Sequence, residues 1–180
     1  MSALVCAAWL CSCSGCSEVS DQTASGGDAP QIMNKGARKA DSMSSFIDQI
    51  LSYSETTDKA REVLERAKAN GGISVSDYEN AWASYKQCML DKEYREILLI
   101  KYPNGMYDEA MHAKGTHEQE NKYDDDKAVC AADLNLVNMV YGMQQGNPDL
   151  YSNINEAIVD YLKKNHVVPK EYSAEQYAQE

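Results

Sequence analysis

The side chains in this sequence that could do chemistry are its six cysteines, its three histidines and a set of clustered carboxylates. Cys11, Cys13 and Cys16 stand within CSCSGCSEVS, residues 11–20, and thiols so spaced could ligate zinc or cross-link. Zinc sites usually draw on two separated ligand pairs, however, and no His or second Cys pair lies near this cluster. Cys88 and Cys130 stand apart from it. In an oxidising compartment such a pair is most simply a disulfide, the alternative being two buried free thiols. His112, His117, Glu118, Glu120 and Asp124–Asp126 could gather round a cation. The first two histidines are five residues apart, off the three- or four-residue spacing of one helix face, so the stretch reads as a solvated acidic loop. No metal and no other cofactor is expected. RAKANGGISVSD, residues 66–77, has the outline of an EF-hand loop, with Gly71 at the tight turn, Ile73 at the central apolar position and Asp77 at the final acidic one. Arg66 and Lys68 nonetheless occupy positions where calcium needs carboxylates. His166 falls at a helix end and reads as a cap. No HExxH, phosphate loop or nucleophile elbow occurs, so no catalytic residue is assigned.

At the amino terminus, residues 1–16 carry no charge, and Ala3–Leu10 is continuously apolar before small residues take over. That is the profile of a secretory signal's apolar core and cleavage region. No Lys or Arg precedes Lys35, so the basic leading region is missing and the start codon is expected to lie upstream. Small residues ending in Cys after an apolar run resemble the lipobox of bacterial lipoproteins. Leu10-Cys11-Ser12-Cys13 carries the leucine three residues before the cysteine, whereas Cys13-Ser14-Gly15-Cys16 carries the better small pair. The lipidated residue is therefore Cys13 or Cys16, with Cys13 preferred for its leucine. Two acyl chains on that thiol suffice for stable anchoring; an uncleaved tail is the alternative. Residues 17–40 are rich in Ser, Gly, Asp and Ala without apolar periodicity and read as a flexible tether.

These features need a folded body to carry them. A chain of 180 residues, 43% hydrophobic and 25% charged, has room for one globular domain. Twelve Tyr against one Phe imply a thin core of half-buried rings. A net charge of −11 with scattered basic residues disfavours nucleic acid, whose binding depends on Lys and Arg neutralising phosphates. No stretch approaches the roughly 18–20 apolar residues that would span a bilayer.

The folded domain is expected over 41–180. Met43, Phe46, Ile47, Ile50 and Leu51 recur at the spacing of a helix face, and Ala60, Val63, Leu64 and Ala67 repeat it. The second helix should stop at Asn70-Gly71-Gly72. Ser76 with Glu79 predicts the capping box of a third helix, whose stripe is Tyr78, Ala81, Trp82, Tyr85, Cys88 and Met89. Ile97–Ile100, the turn Pro103-Asn104-Gly105 and Met106-Tyr107 predict a hairpin of about 94–102 with 106–113. Lys114–Asp126 reads as a loop. A fourth helix is expected from the Asp124–Asp126 cluster, with Cys130, Leu134, Val137 and Tyr141 on one stripe. Ile154, Ala157, Ile158, Tyr161 and Leu162 mark a fifth, and Ser173 with Gln176 caps a last helical turn. The fold class is thus mainly α with one small β-hairpin, about five helices and one disulfide.

DKAREVLERAKANGGISVSDYENAWASYKQCMLDKEY, the PNGMY turn, Cys130 and the carboxy-terminal VVPKEYSAEQY together resemble small uncharacterised lipoproteins and secreted proteins of high-G+C Gram-positive bacteria. The resemblance covers roughly residues 55–142 and implies a cell-envelope address and a Cys88–Cys130 pair, but no activity. The expectation is an extracytoplasmic module held to the membrane by a lipid anchor, with a protein or peptide partner and no nucleic acid. The rival expectation is a small envelope hydrolase acting on cell-wall material through carboxylates such as Asp124–Asp126. A deep pocket of converging acids would favour the rival.

Overall fold

The structure is a computed structural model that describes residues 36–53 and 56–180; Cys13, Cys16 and the rest of the signal and tether up to residue 35 lie outside the described residues. The described chain is mainly helical, with helices α1 (Met43–Leu51), α2 (Asp58–Asn70), α3 (Val75–Asp91), α4 (His117–Cys130), α5 (Asn135–Gly146), α6 (Ile154–Lys164) and α7 (Ala174–Tyr177). Strands β1 (Leu99–Lys101) and β2 (Tyr107–Glu109) form one antiparallel hairpin in which Ile100 faces Asp108.

The apolar faces of α1, α2, α3 and α5 meet as a single core, whereas the stripe expected on the fifth helix does not join it, Ile154 and Tyr161 being exposed. Phe46, Ile47 and Ile50 of α1, Leu64 and Ala67 of α2, and Tyr78, Trp82, Tyr85 and Met89 of α3 are buried with Val137, Val140 and Tyr141 of α5. A core so rich in tyrosine must find partners for its phenols, because an unpaired buried hydroxyl costs on the order of 1–3 kcal/mol. Tyr78 shows how this is met. Its ring stacks on Tyr141 at 3.8 Å, its hydroxyl donates to Asn138 at 2.8 Å, and it accepts the Tyr107 N–H at 3.1 Å. The same side chain therefore fills the core and ties the hairpin to α3 and α5.

Gly71 ends α2 in the left-handed region at φ +75°, as its position after Asn70 predicts. The chain then enters α3 two residues earlier than the Ser76–Glu79 box implies. Ser74 is the cap, accepting from the Asp77 N–H, because the Gly71-Gly72 turn delivers extended backbone directly to Ser74. The EF-hand outline is only a shape. Arg66 binds Asp77 at 2.8 Å across the loop, so the would-be calcium ligand is already paired. Gln144 closes the loop by pairing with both the N–H and the C=O of Ile73. His166 does sit at the end of α6 with φ +57°, and its N–H returns to the Lys163 carbonyl.

Three expectations are corrected. Lys114–Asp126 is not a loop, and no helix starts at Asp124–Asp126. α4 starts at His117, where Thr116 and Gln119 form a complete capping box. The stripe from Cys130 to Tyr141 does not run along one helix, because the chain turns at 131–134 between α4 and α5. The paired part of the hairpin is also shorter than 94–113. Ile97 turns into the core, and residues 110–115 leave β2 to reach the α4 cap. Residues 36–40, the end of the stretch read as a tether, are docked in the structure. Lys39 donates to the Leu150 carbonyl, Ser152 donates to Ala37, and the Glu156 carboxylate accepts the Gly36 N–H.

Cys88 of α3 and Cys130 of α4 are disulfide-bonded, with their Cα atoms 5.5 Å apart. Replacing both with alanine is expected to lower the free energy of unfolding by roughly 4 kcal/mol, the loop-closure value for a separation of 42 residues. The measurement is the urea midpoint of the double variant against the oxidised parent.

Candidate functional site

The second residue pair joining α3 to α4 is polar. Tyr85 lies three residues before Cys88, and Tyr123 and Lys127 lie seven and three before Cys130, so the disulfide turns all three toward one another. Between them stands Glu109, the last residue of β2, with only 7% of its side chain exposed. Its Oε1 accepts the Tyr123 hydroxyl, while its Oε2 accepts the Tyr85 hydroxyl and the Lys127 ammonium at 3.0 Å. Burial alone would push this carboxyl up, but the donors from Tyr123, Tyr85 and Lys127 outweigh it and hold Glu109 below its ordinary value. Burial first, and then donation to Glu109, push both phenols up.

Glu109 and Tyr123 of this cluster line a cleft of about 630 Å³. Its walls are the incoming segment Tyr94–Leu98, the outgoing segment Ala110–Ala113 and the first two turns of α4. Tyr123 presents its ring to Tyr94 edge-on at 5.2 Å and to His112 at 4.0 Å. His112 also reaches Glu120 at 3.3 Å, and the Gly115 N–H reaches the same carboxylate at 2.7 Å. The Gly115 N–H foremost, with His112, holds Glu120 below the ordinary range despite its partial burial. At the mouth, Leu98 is 55% and Met111 99% exposed.

The residues singled out in the sequence are only partly gathered here. His112 and Glu120 meet, although eight positions separate them, whereas His117 and Glu118 stay exposed on the first turn of α4. Asp124 and Asp125 face solvent. Asp126 is clamped by Lys122 and Lys92, which bring it down to about 2, and it accepts the Tyr94 hydroxyl. None of these three lines the cleft. No group of His, Cys, Asp and Glu that could hold a metal ion occurs among the described residues. Sequence reasoning missed Glu109, Tyr85, Tyr123 and Lys127. The available signal was their spacing from Cys88 and Cys130, which puts all three helical partners on the cysteine faces.

No protein-family model, curated protein or solved structure matches this chain. What the arrangement can do is therefore argued from its chemistry. Glu109 accepts from three donors and is held ionised, so it has no proton to donate and most of its acceptor capacity is engaged. Glu120 is similarly occupied. The cleft consists of aromatic and aliphatic walls over a satisfied polar floor, which is the composition of a binding site.

Glu109→Gln is expected to lower stability by about 1–3 kcal/mol, since the amide can neither pair with Lys127 nor accept as many donors. The parent should also lose stability in acid. A carboxyl whose value is depressed in the fold contributes fully above its ordinary value near 4.5 and loses that contribution as pH falls through the folded value. Urea midpoints taken from pH 6 to pH 3 should therefore fall more steeply for the parent than for Glu109→Gln.

Proposed function

We propose that this protein is an extracytoplasmic binding module of the cell envelope, held to the membrane by a lipid on Cys13 or Cys16, with its partner seated in the cleft under the hairpin. One observation carries the binding reading: Glu109 and Glu120, the carboxylates that β2 and α4 bring into the cleft, are already paired, while the apolar side chains of Leu98 and Met111 stand open at the mouth. An enzyme acting through carboxylates needs one that is free and held against the reacting atoms; the remaining carboxylate of the lining, Glu96, is solvent-exposed at the rim. The Cys88–Cys130 bond supports an oxidising address, because structural disulfides persist outside the reducing cytosol. Among the described residues no helix is long and apolar enough to cross a membrane, so an attachment would be made through the amino-terminal lipid.

The anchor is tested by labelling cells with radioactive palmitate while the chain, Cys13→Ser and Cys16→Ser are expressed in turn. Label is expected on the parent, lost in one of the two variants, and accompanied by a globomycin-sensitive precursor. A parent without label, or label that survives both substitutions, would remove the anchor from the proposal.

A further inference from the structure

The cleft lies where the hairpin comes apart. β1 and β2 pair over three residues each, and the last bond of the ladder is the Ala110 N–H to the Leu98 carbonyl. Beyond it the two segments diverge without regular secondary structure, 94–97 along one wall and 111–114 along the other. The N–H groups of residues 95–98 and 111–114 donate to nothing among the described residues. For exposed positions water fills that role, but Ile97 is only 3% exposed and neither its N–H nor its C=O is paired among the described residues. Buried backbone groups without partners are rare in folded proteins. Here they border a cavity, with apolar side chains beside them.

Two facing walls with unpaired main-chain N–H groups among the described residues match one class of ligand best. We propose that the cleft takes an extended peptide that pairs through its main chain with 95–98 or 111–114 and seats an apolar side chain between Leu98, Met111 and Tyr123. The proposal rests on the binding reading above and specifies its partner. A peptide supplies alternating N–H and C=O groups at strand spacing, which is what a splayed hairpin lacks, and alternate side chains then drop to one face. A glycan would instead seek an open aromatic face. Those faces are occupied: His112 and Lys127 cover Tyr123, and Lys122 covers Tyr94. Arg95 and Glu96 carry opposite charges at the rim without an ionic partner among the described residues, and they are placed to meet polar groups flanking the seated residue.

The full chain, with its disulfide intact, is panned with a phage library of random heptapeptides, and the consensus peptide is titrated into the 15N-labelled protein. Apolar residues are expected at alternate consensus positions. Amide shifts should concentrate at Ile97, Leu98, Met111 and His112, with slowed hydrogen exchange at the same amides. Leu98→Asp and Met111→Arg, both at exposed side chains, should weaken binding by about tenfold or more without moving the urea midpoint. N-methylation of the peptide at alternate amides should abolish binding. Failure to find a consensus, shifts confined to another surface, or tolerance of N-methylation at every position would each overturn the proposal. An N-acetylglucosamine tetramer serves as a second titrant. Shifts at the cleft amides from the sugar but not from any peptide would overturn the peptide and leave the binding reading standing, and shifts from neither would remove both.

Discussion

A buried carboxylate that must stay charged organises this protein. Glu109 sits at the end of a three-residue strand, too short to hold a hairpin in place by its own ladder. Placing an ionised group there is tolerable only if donors surround it, and the donors come from two different helices. The requirement therefore acts as a positional constraint. α3 and α4 must lie close enough for Tyr85, Tyr123 and Lys127 to reach one carboxylate, and the hairpin must lie on top of them. Removing a partner would leave the others unsatisfied, so the cluster forms as a unit.

The disulfide and the carboxylate divide this work. Cys88–Cys130 fixes the separation of the two helices at one level, and Glu109 fixes it one to two turns earlier along each while adding the hairpin as a third member. Tyr78 makes the corresponding connection to α5, through its stacking on Tyr141 and its bond with the Tyr107 N–H. Tyrosine suits this role better than phenylalanine because each ring supplies both buried area and a directed polar tip. The excess of Tyr over Phe, first visible as composition, is thus a consequence of how a small helical body holds a short hairpin.

Helices α1, α2 and α3 were legible because each turns an apolar stripe toward the core, and Gly71 marked the end of α2 through its left-handed backbone; α6 was legible as a helix, but it buries Ala157 and Val159 and leaves Ile154 and Tyr161 of its expected stripe exposed. α4 was not, for a physical reason. HEQENKYDDDKAVC buries only Tyr123 and Cys130, so its helix is held by the Thr116–Gln119 capping box, one disulfide and one phenol rather than by a stripe. The cap was present in the sequence as Thr-x-x-Gln, and the weight of charge around it concealed the signal. The start of α3 was likewise misplaced, at Ser76 with Glu79, because the sequence pattern did not register that the preceding turn delivers the chain to Ser74, the observed cap. The cysteine pair was readable as a pair; the cleft beside it was not, because its floor depends on a residue 21 positions after Cys88 on a different element.

The docking of residues 36–40 has a mechanical meaning. The short pairing of Ala37 and Lys39 with Leu150 and Ser152, the Gly36–Glu156 bonds and the stacking of Arg38 on Tyr151 all lie ahead of α1 in the chain. A pull applied at residue 36 acts on hydrogen bonds to the segment around Tyr151, between α5 and α6, and, through the Gln49 Nε2 bond to the Lys39 carbonyl, on α1 as well. The segment ahead of α1 is thus a joint shared by three parts of the fold.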